Sequence, residues 1–245
     1  MRIAAIETSG DWCSAALWVG SGVGSGVGSG GRGEVAAIEG RAPNRHSELA
    51  LPMLERLLAE AGVSAGALDA VAYGAGPGSF TGLRIACGLA QGLAFAHDLP
   101  VLGVSSFEAI AEESGAARVV VCIDARMREV YYAALQREET GGSEARWREV
   151  VPGQCVAPDR APRPGGEDWV GCGSGFAAYP HFLAAHLRLK VPDAHPTAAA
   201  VASLAAPRLA AGKGVDAALA LPTYLRDKVA FTQDELKTSR ELQRQ

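Results

Sequence analysis

Between Ala72 and Gly88 the chain reads AYGAGPGSFTGLRIACG, five glycines and one proline set between two apolar runs. No other stretch limits the fold as strongly. ALDAVAYGAG has the character of a buried strand and Ser79 to Ala96 reads as a helix, so the glycines must make a tight strand-to-helix connection. A Walker loop needs a lysine after its last glycine, and none follows here. A dinucleotide fingerprint needs glycine where Ser79 or Thr81 stands. Two readings remain open. Gly76 and Gly78 allow positive φ, Pro77 fixes the turn, and Ser79 or Thr81 can cap the helix, which describes a turn launching a packing helix. The same helix N-terminus is also suited to an anion.

Around this connection the chain falls into two similar α/β halves. RIAAIETS and CSAALWVG read as a hairpin with Glu7 to Asp11 at its bend, followed by the Gly/Ser/Val stretch Ser21 to Gly33, read as an elongated flexible turn, and a third strand, EVAAIEG. From about Arg118, ARVVVCIDARMREVYYAALQ repeats the hairpin opening with Asp124, Ala125 and Arg126 at its bend. LPVLGVSSFEAIA is a strand and then a helix capped by Ser105 or Ser106. Residues 137–168 are a meander or an irregular insert; DWVGCGSGFAAYPHFLAAH is a strand entering a helix, and PTAAAVASLAAPRLAAG is a further helix. The expected division is 1–104, 105–225 and a polar tail 226–245, with the helix at about 195–212 packing back on the first half.

Two helices carry more apolar surface than a one-sided packing needs. In the helix from Asn44 to Gly62, Leu49, Met53, Leu54, Leu57, Leu58 and Ala61 cover about 200° of the circumference, against a stripe of somewhat over ~100° for a surface helix. Between Gly82 and Ala96 the polar side chains are Arg84 and Gln91, seven residues apart on one face, and Gly88 and Gly92 form a flat strip suited to close approach. Leu49, Met53, Leu57, Arg84, Gly88, Gln91, Gly92 and Phe95 are therefore candidates for a partner interface.

Candidates for chemistry are fewer. Glu7, Thr8 and Ser9 sit at a hairpin bend where a carboxylate can hold a metal-bound water beside phosphate-binding amides, or where the bend is simply solvated. Asp124 and Arg126 read as a cross-strand pair at a charged bend before they read as catalytic. His46 has no histidine three or four residues away, and His181 and His186 are five apart, so no helical metal pair is present. No GxSxG or other nucleophile motif occurs. The net charge of −4 argues against a stand-alone nucleic-acid binder. Five cysteines without CxxC spacing, an N-terminus unlike a signal peptide and no long uncharged apolar run make the expected location cytoplasmic, with no membrane partner.

IETS, RHSELALPMLERLL, GAGPGSFTGLRIACGLAQGLAFA, IDARMREVYYA and PTYLR together resemble the TsaB (YeaZ) family, the most specific being the glycine-rich stretch. The resemblance implies an actin-like ATPase (ribonuclease H-like) fold of two α/β lobes. It also implies a non-catalytic subunit that pairs with a TsaD-like transferase, together with a TsaE-like ATPase, to place threonylcarbamoyl on N6 of adenosine 37 in tRNAs reading ANN codons. Such a chain is expected to self-associate as a homodimer when alone, to meet tRNA only within the complex, and to bind no cofactor by itself, ATP and metal lying on the partner subunits. Glu7, Thr8, Ser9, Gly76, Gly78, Ser79 and Thr81 would then be a vestigial nucleotide or anion turn: Glu7 stands where an actin-like ATPase has Asp, and the RHSELA segment keeps only His46 of two metal-binding histidines. The alternative is a stand-alone actin-like kinase or carbamoyltransferase using Glu7, the Gly171–Gly175 turn and magnesium.

Overall fold

The computed structural model of the protein describes residues 1–20, 33–138, 146–182 and 186–226. The Gly/Ser/Val stretch from Ser21 to Arg32 and the polar tail beyond Arg226 lie outside the described residues. Among the described residues ten strands form two five-stranded sheets. In the first, β1 (Arg2–Glu7), β2 (Trp12–Val19), β3 (Glu34–Arg41), β4 (Ala70–Gly76) and β5 (Val101–Ser105) lie in the order β3-β2-β1-β4-β5. In the second, β6 (Arg118–Asp124), β7 (Val130–Glu138), β8 (Arg146–Val156), β9 (Val170–Cys172) and β10 (Leu189–Val191) lie in the order β10-β9-β6-β7-β8. Read from the opposite edge, the second order repeats the first strand for strand. In both sheets three antiparallel strands are extended by two parallel ones. The chain is thus an internal duplication, the two-lobed α/β architecture of the actin-like (ribonuclease H-like) fold.

Among the described residues five α-helices cover these sheets. α1 (His46–Glu60) and α2 (Phe80–His97) pack on the outer face of the first sheet, where Ala4, Ile6, Ala15, Leu17, Val71 and Tyr73 meet Leu54, Leu57, Leu58, Ala86, Ala90 and Ala94. α3 (Ser106–Glu113) and α5 (Ala198–Ala210) lie between the sheets. There Ile3, Ala5, Ala16, Trp18 and Ala72 from the first sheet and Val119, Val121, Ala133 and Leu135 from the second close on Phe107, Ile110, Val201, Leu204 and Ala205. A helix covered on both sides needs small residues for close approach, which accounts for the alanine-rich α5. α4 (Gly175–Ala178) sits on the outer face of the second sheet near Cys122, Tyr132, Trp169 and Phe176.

Three sequence expectations are corrected here. Residues 146–156 are not a meander: they form the edge strand β8, and Pro152 and Gly153 fall at a register irregularity opposite Ala133, a place where an edge strand tolerates proline. The helix expected after β9 is only Gly175–Ala178, ending at Tyr179 before Pro180. Leu189–Val191 pairs in parallel with β9, a strand too short to show a period in the sequence. Of the two candidate caps of α3, Ser105 is the one used: its hydroxyl accepts from the Phe107 amide at 3.2 Å.

Candidate functional site

The glycine-rich turn is closed by the protein's own backbone. The Ser79 amide donates to the Ser9 carbonyl at 2.7 Å, the Ser79 hydroxyl caps α2 by accepting from Gly82 N at 3.3 Å, and Thr8 Oγ1 donates to the Gly82 carbonyl at 2.7 Å. A Cβ at Gly78 would strike the Ser9 carbonyl, and one at Gly82 the Thr8 carbonyl. Gly76 has φ +107, and a Cβ there would lie 2.8 Å from the Thr223 carbonyl. Gly78 and Gly82 are therefore required for backbone-to-backbone contact between the β1–β2 bend and the start of α2, and Gly76 for the close approach of Thr223. Thr81 is exposed on the first turn and takes no part in the cap.

Glu7 lies at the end of β1, 1% exposed, in the layer between the sheets. Gly74 on the adjacent strand leaves it room, since a Cβ there would overlap its carboxyl. Oε1 accepts from the Ser9 amide at 2.5 Å, and Oε2 has no hydrogen-bond partner among the described residues. Burial pushes the Glu7 carboxyl up from 4.5 to about 7; hydrogen bonds from Ser9 and Thr8 and the positive side of His195 pull it partly back. Its cross-strand neighbour Ser14 accepts from the first amide of α5, Ala198 N, at 2.9 Å, and Ser9 Oγ accepts from Ser106 Oγ at 3.1 Å. The solvated alternative for this bend is corrected: Glu7, Thr8 and Ser9 are buried and form a joint between both lobes. A carboxyl so enclosed, with the Ser9 amide already spent on it, the Ser79 amide on the Ser9 carbonyl and the Gly82 amide on the Ser79 hydroxyl, does not fit a metal-bound water and a phosphate.

At the matching bend of the second lobe, Arg126, Met127 and Arg128 all have positive φ, from 55 to 61. Asp124 and Arg126 do pair, at 3.1 Å, and Asp124 Oδ1 also accepts from the Arg126 amide. His46 is buried, its Nε2 3.2 Å from the Trp12 carbonyl. Among the described residues no cluster of His, Cys, Asp or Glu could hold a metal ion, and no helix is long and apolar enough to cross a membrane.

The remaining candidates lie on α1 and α2. Leu57 is in the core, 3% exposed, so its place at the edge of an interface is corrected; Leu49 and Met53 are half-buried against that core. Phe95 is 84% exposed, and Gly88 and Gly92 are exposed with no atom within 4 Å of an added Cβ. Arg84 and Gln91 are engaged by the irregular segment that contains PTYLR. This strap, residues 217–226, runs antiparallel beside α2. The Ala220 carbonyl accepts from Gln91 Nε2 at 3.1 Å and from Cys87 Sγ at 3.4 Å, and the Leu221 carbonyl accepts from Tyr73 at 3.1 Å. Arg84 Nε donates to Tyr224 at 3.0 Å, its guanidinium lying 3.7 Å from the Phe80 ring centre. Leu219 and Leu221 on the strap are 68% and 72% exposed, and Leu51 on α1 is 43% exposed. The two strap leucines were hidden because solvent-facing leucines in an irregular segment have no period to reveal them.

Residues 39–234 match the family described as "TsaD: tRNA N6-adenosine threonylcarbamoyltransferase". Over 238 residues the chain is 39% identical to the tRNA threonylcarbamoyladenosine biosynthesis protein TsaB of Escherichia coli (strain K12), covering 94% of this chain and 97% of that protein. The corresponding protein of Haemophilus influenzae is 35% identical, with 94% and 96% covered. Among solved structures, YeaZ from Pseudomonas aeruginosa superposes with a TM-score of 0.76 at 36% identity, over 91% of this chain and 99% of that one.

Proposed function

The chain belongs to the TsaB (YeaZ) family, and we propose that it serves the formation of threonylcarbamoyladenosine in tRNA as a subunit that performs no chemistry itself. Its partner is a TsaD-like transferase, joined by a TsaE-like ATPase, acting in the cytoplasm on N6 of adenosine 37. The carrying observation is the outer face of α2, where Phe95 stands 84% exposed beside the open Gly88 and Gly92. A large aromatic ring left this exposed beside an open helix strip marks a partner site. In the absence of the transferase the same face meets a second copy of the chain. The closed turn at Glu7, Thr8, Ser9, Gly76, Gly78 and Ser79 supports a chain that holds no nucleotide alone.

The test is reconstitution. The purified chain is expected neither to hydrolyse ATP nor to modify tRNA, and to be required when transferase, ATPase and threonylcarbamoyl-adenylate are supplied. Phe95→Glu should lower modification by the mixture in step with lost transferase binding, its melting curve unchanged. Turnover by the chain alone, abolished in Glu7→Ala, would instead identify a stand-alone enzyme.

A further inference from the structure

We propose that the end of the strap, residues 223–226, is a releasable latch over the crevice between the lobes, and that its seat, the β6–β7 bend at Arg126, Met127 and Arg128, changes backbone conformation with it.

The strap crosses from one lobe to the other. The Thr223 amide donates to the Ala75 carbonyl at 2.7 Å, at the carboxyl end of β4. The first sheet grows to one side of β1 through β2 and β3 and to the other through β4 and β5, so its direction reverses between β1 and β4. Open α/β sheets take their ligands outside the strand ends at such a point, and here the strap lies across it. Two residues further on, Leu225 packs on the core between the sheets, beside Gly153 of β8. Arg226 then enters the bend of the second lobe with 13% of its side chain exposed. Its guanidinium donates to the Glu129 carboxylate at 2.5 Å and to the Arg126 carbonyl at 3.4 Å, with the Met127 sulfur at 3.6 Å and the Tyr131 ring centre at 5.8 Å.

That socket is made in an unfavourable backbone. The Glu129 amide donates to the Arg126 carbonyl and the Ala125 amide to the Glu129 carbonyl, each at 3.0 Å, and the residues so enclosed, Arg126, Met127 and Arg128, have φ of 61, 55 and 60. Hairpin turns of this hand are ordinarily made with Gly, Asn or Asp, and the bend has none of these at its three left-handed positions. For other residues the left-handed conformation is disfavoured by a factor of about 5–30 each. Asp124 secures Arg126 from within the bend. The seated Arg226 adds the contacts to the Arg126 carbonyl and the Met127 sulfur that offset the rest. Relaxation of the bend turns that carbonyl and that sulfur away from Arg226, and departure of Arg226 removes what sustains the bend. Two states follow: latch seated with the bend left-handed, and latch free with the bend relaxed. In both, the core around α5 keeps the lobes together.

Amide hydrogen exchange of the full chain tests the inference, the Thr223 amide reporting on the latch and the Ala125 and Glu129 amides on the bend. Arg226→Ala should speed exchange at all three at least about tenfold while the melting transition is retained. Arg128→Gly, at an exposed side chain outside the socket, removes strain from the seated state and should slow exchange at Thr223 about 5–30-fold. In a chain that also carries Arg226→Ala the same glycine should leave Thr223 unchanged, because no seated state remains to be favoured. A strap that is merely anchored behaves differently. Arg226→Ala would then free Thr223 while the bend amides exchange as in the parent, or Arg128→Gly would leave Thr223 as it was, and either result overturns the proposal. Should Arg226→Ala fail to fold, Glu129→Gln, which removes the carboxylate charge from the socket, takes its place with Ala125 and Thr223 as the readouts.

Discussion

Glu7 is held away from water with no ion pair among the described residues, and its protonation therefore reports on folding. An unfolded glutamate loses its proton near 4.5 and this one near 7. The native state binds that proton more tightly, so its stabilising effect is full below pH 4.5 and is lost as the pH rises to 7. Across that window the loss is on the order of 3 kcal/mol. Glu7→Gln has no proton to lose. Its melting temperature relative to the parent should climb between pH 4.5 and 7 and then level, and a difference independent of pH would show the parent's carboxyl to be solvated or paired. Glu7 was legible as a special position because a charged residue ends an apolar strand, but its burial was not. That depends on Gly74 across the sheet and on α5, almost two hundred residues further along the chain.

At the scale of the element, the glycines of one helix divide into two kinds. Gly82→Ala drives a methyl into the Thr8 carbonyl and should cost about 1–3 kcal/mol, because backbone cannot step aside. Gly88→Ala and Gly92→Ala meet nothing and should raise stability by about 0.5–1 kcal/mol each through helix propensity. Chemical denaturation of the three variants checks the contrast, and destabilisation at Gly88 would mean that the outer strip is already covered. Helices with a strong period, α1 and α2, could be placed from the sequence to within two residues at their starts. β8 could not, since Pro152 and Gly153 read as breakers until β7 is seen to accept them at an irregularity. For the same reason, the candidate interface was legible on α2 and illegible on the strap.

For the whole molecule, the lobes are alike in topology but not separable. α5 follows every strand of the second sheet in sequence, yet it packs on β1, β2 and β4, and its N-terminal amide is held by Ser14. A fragment of residues 1–116 would have all five strands of the first sheet while Ile3, Ala5, Ala16 and Ala72 lack that cover. Such a fragment should show no cooperative melting transition, whereas the full chain should unfold in one. A sharp transition in the fragment would show that α3 suffices. The same placement of α5 bears on the newborn chain. At ribosomal speeds of about 5–20 residues per second, the stretch from the end of the first lobe to the end of α5 takes roughly 5–20 s to make. Throughout that interval one face of the finished sheet waits bare, a longer call on chaperones than two self-contained lobes would make.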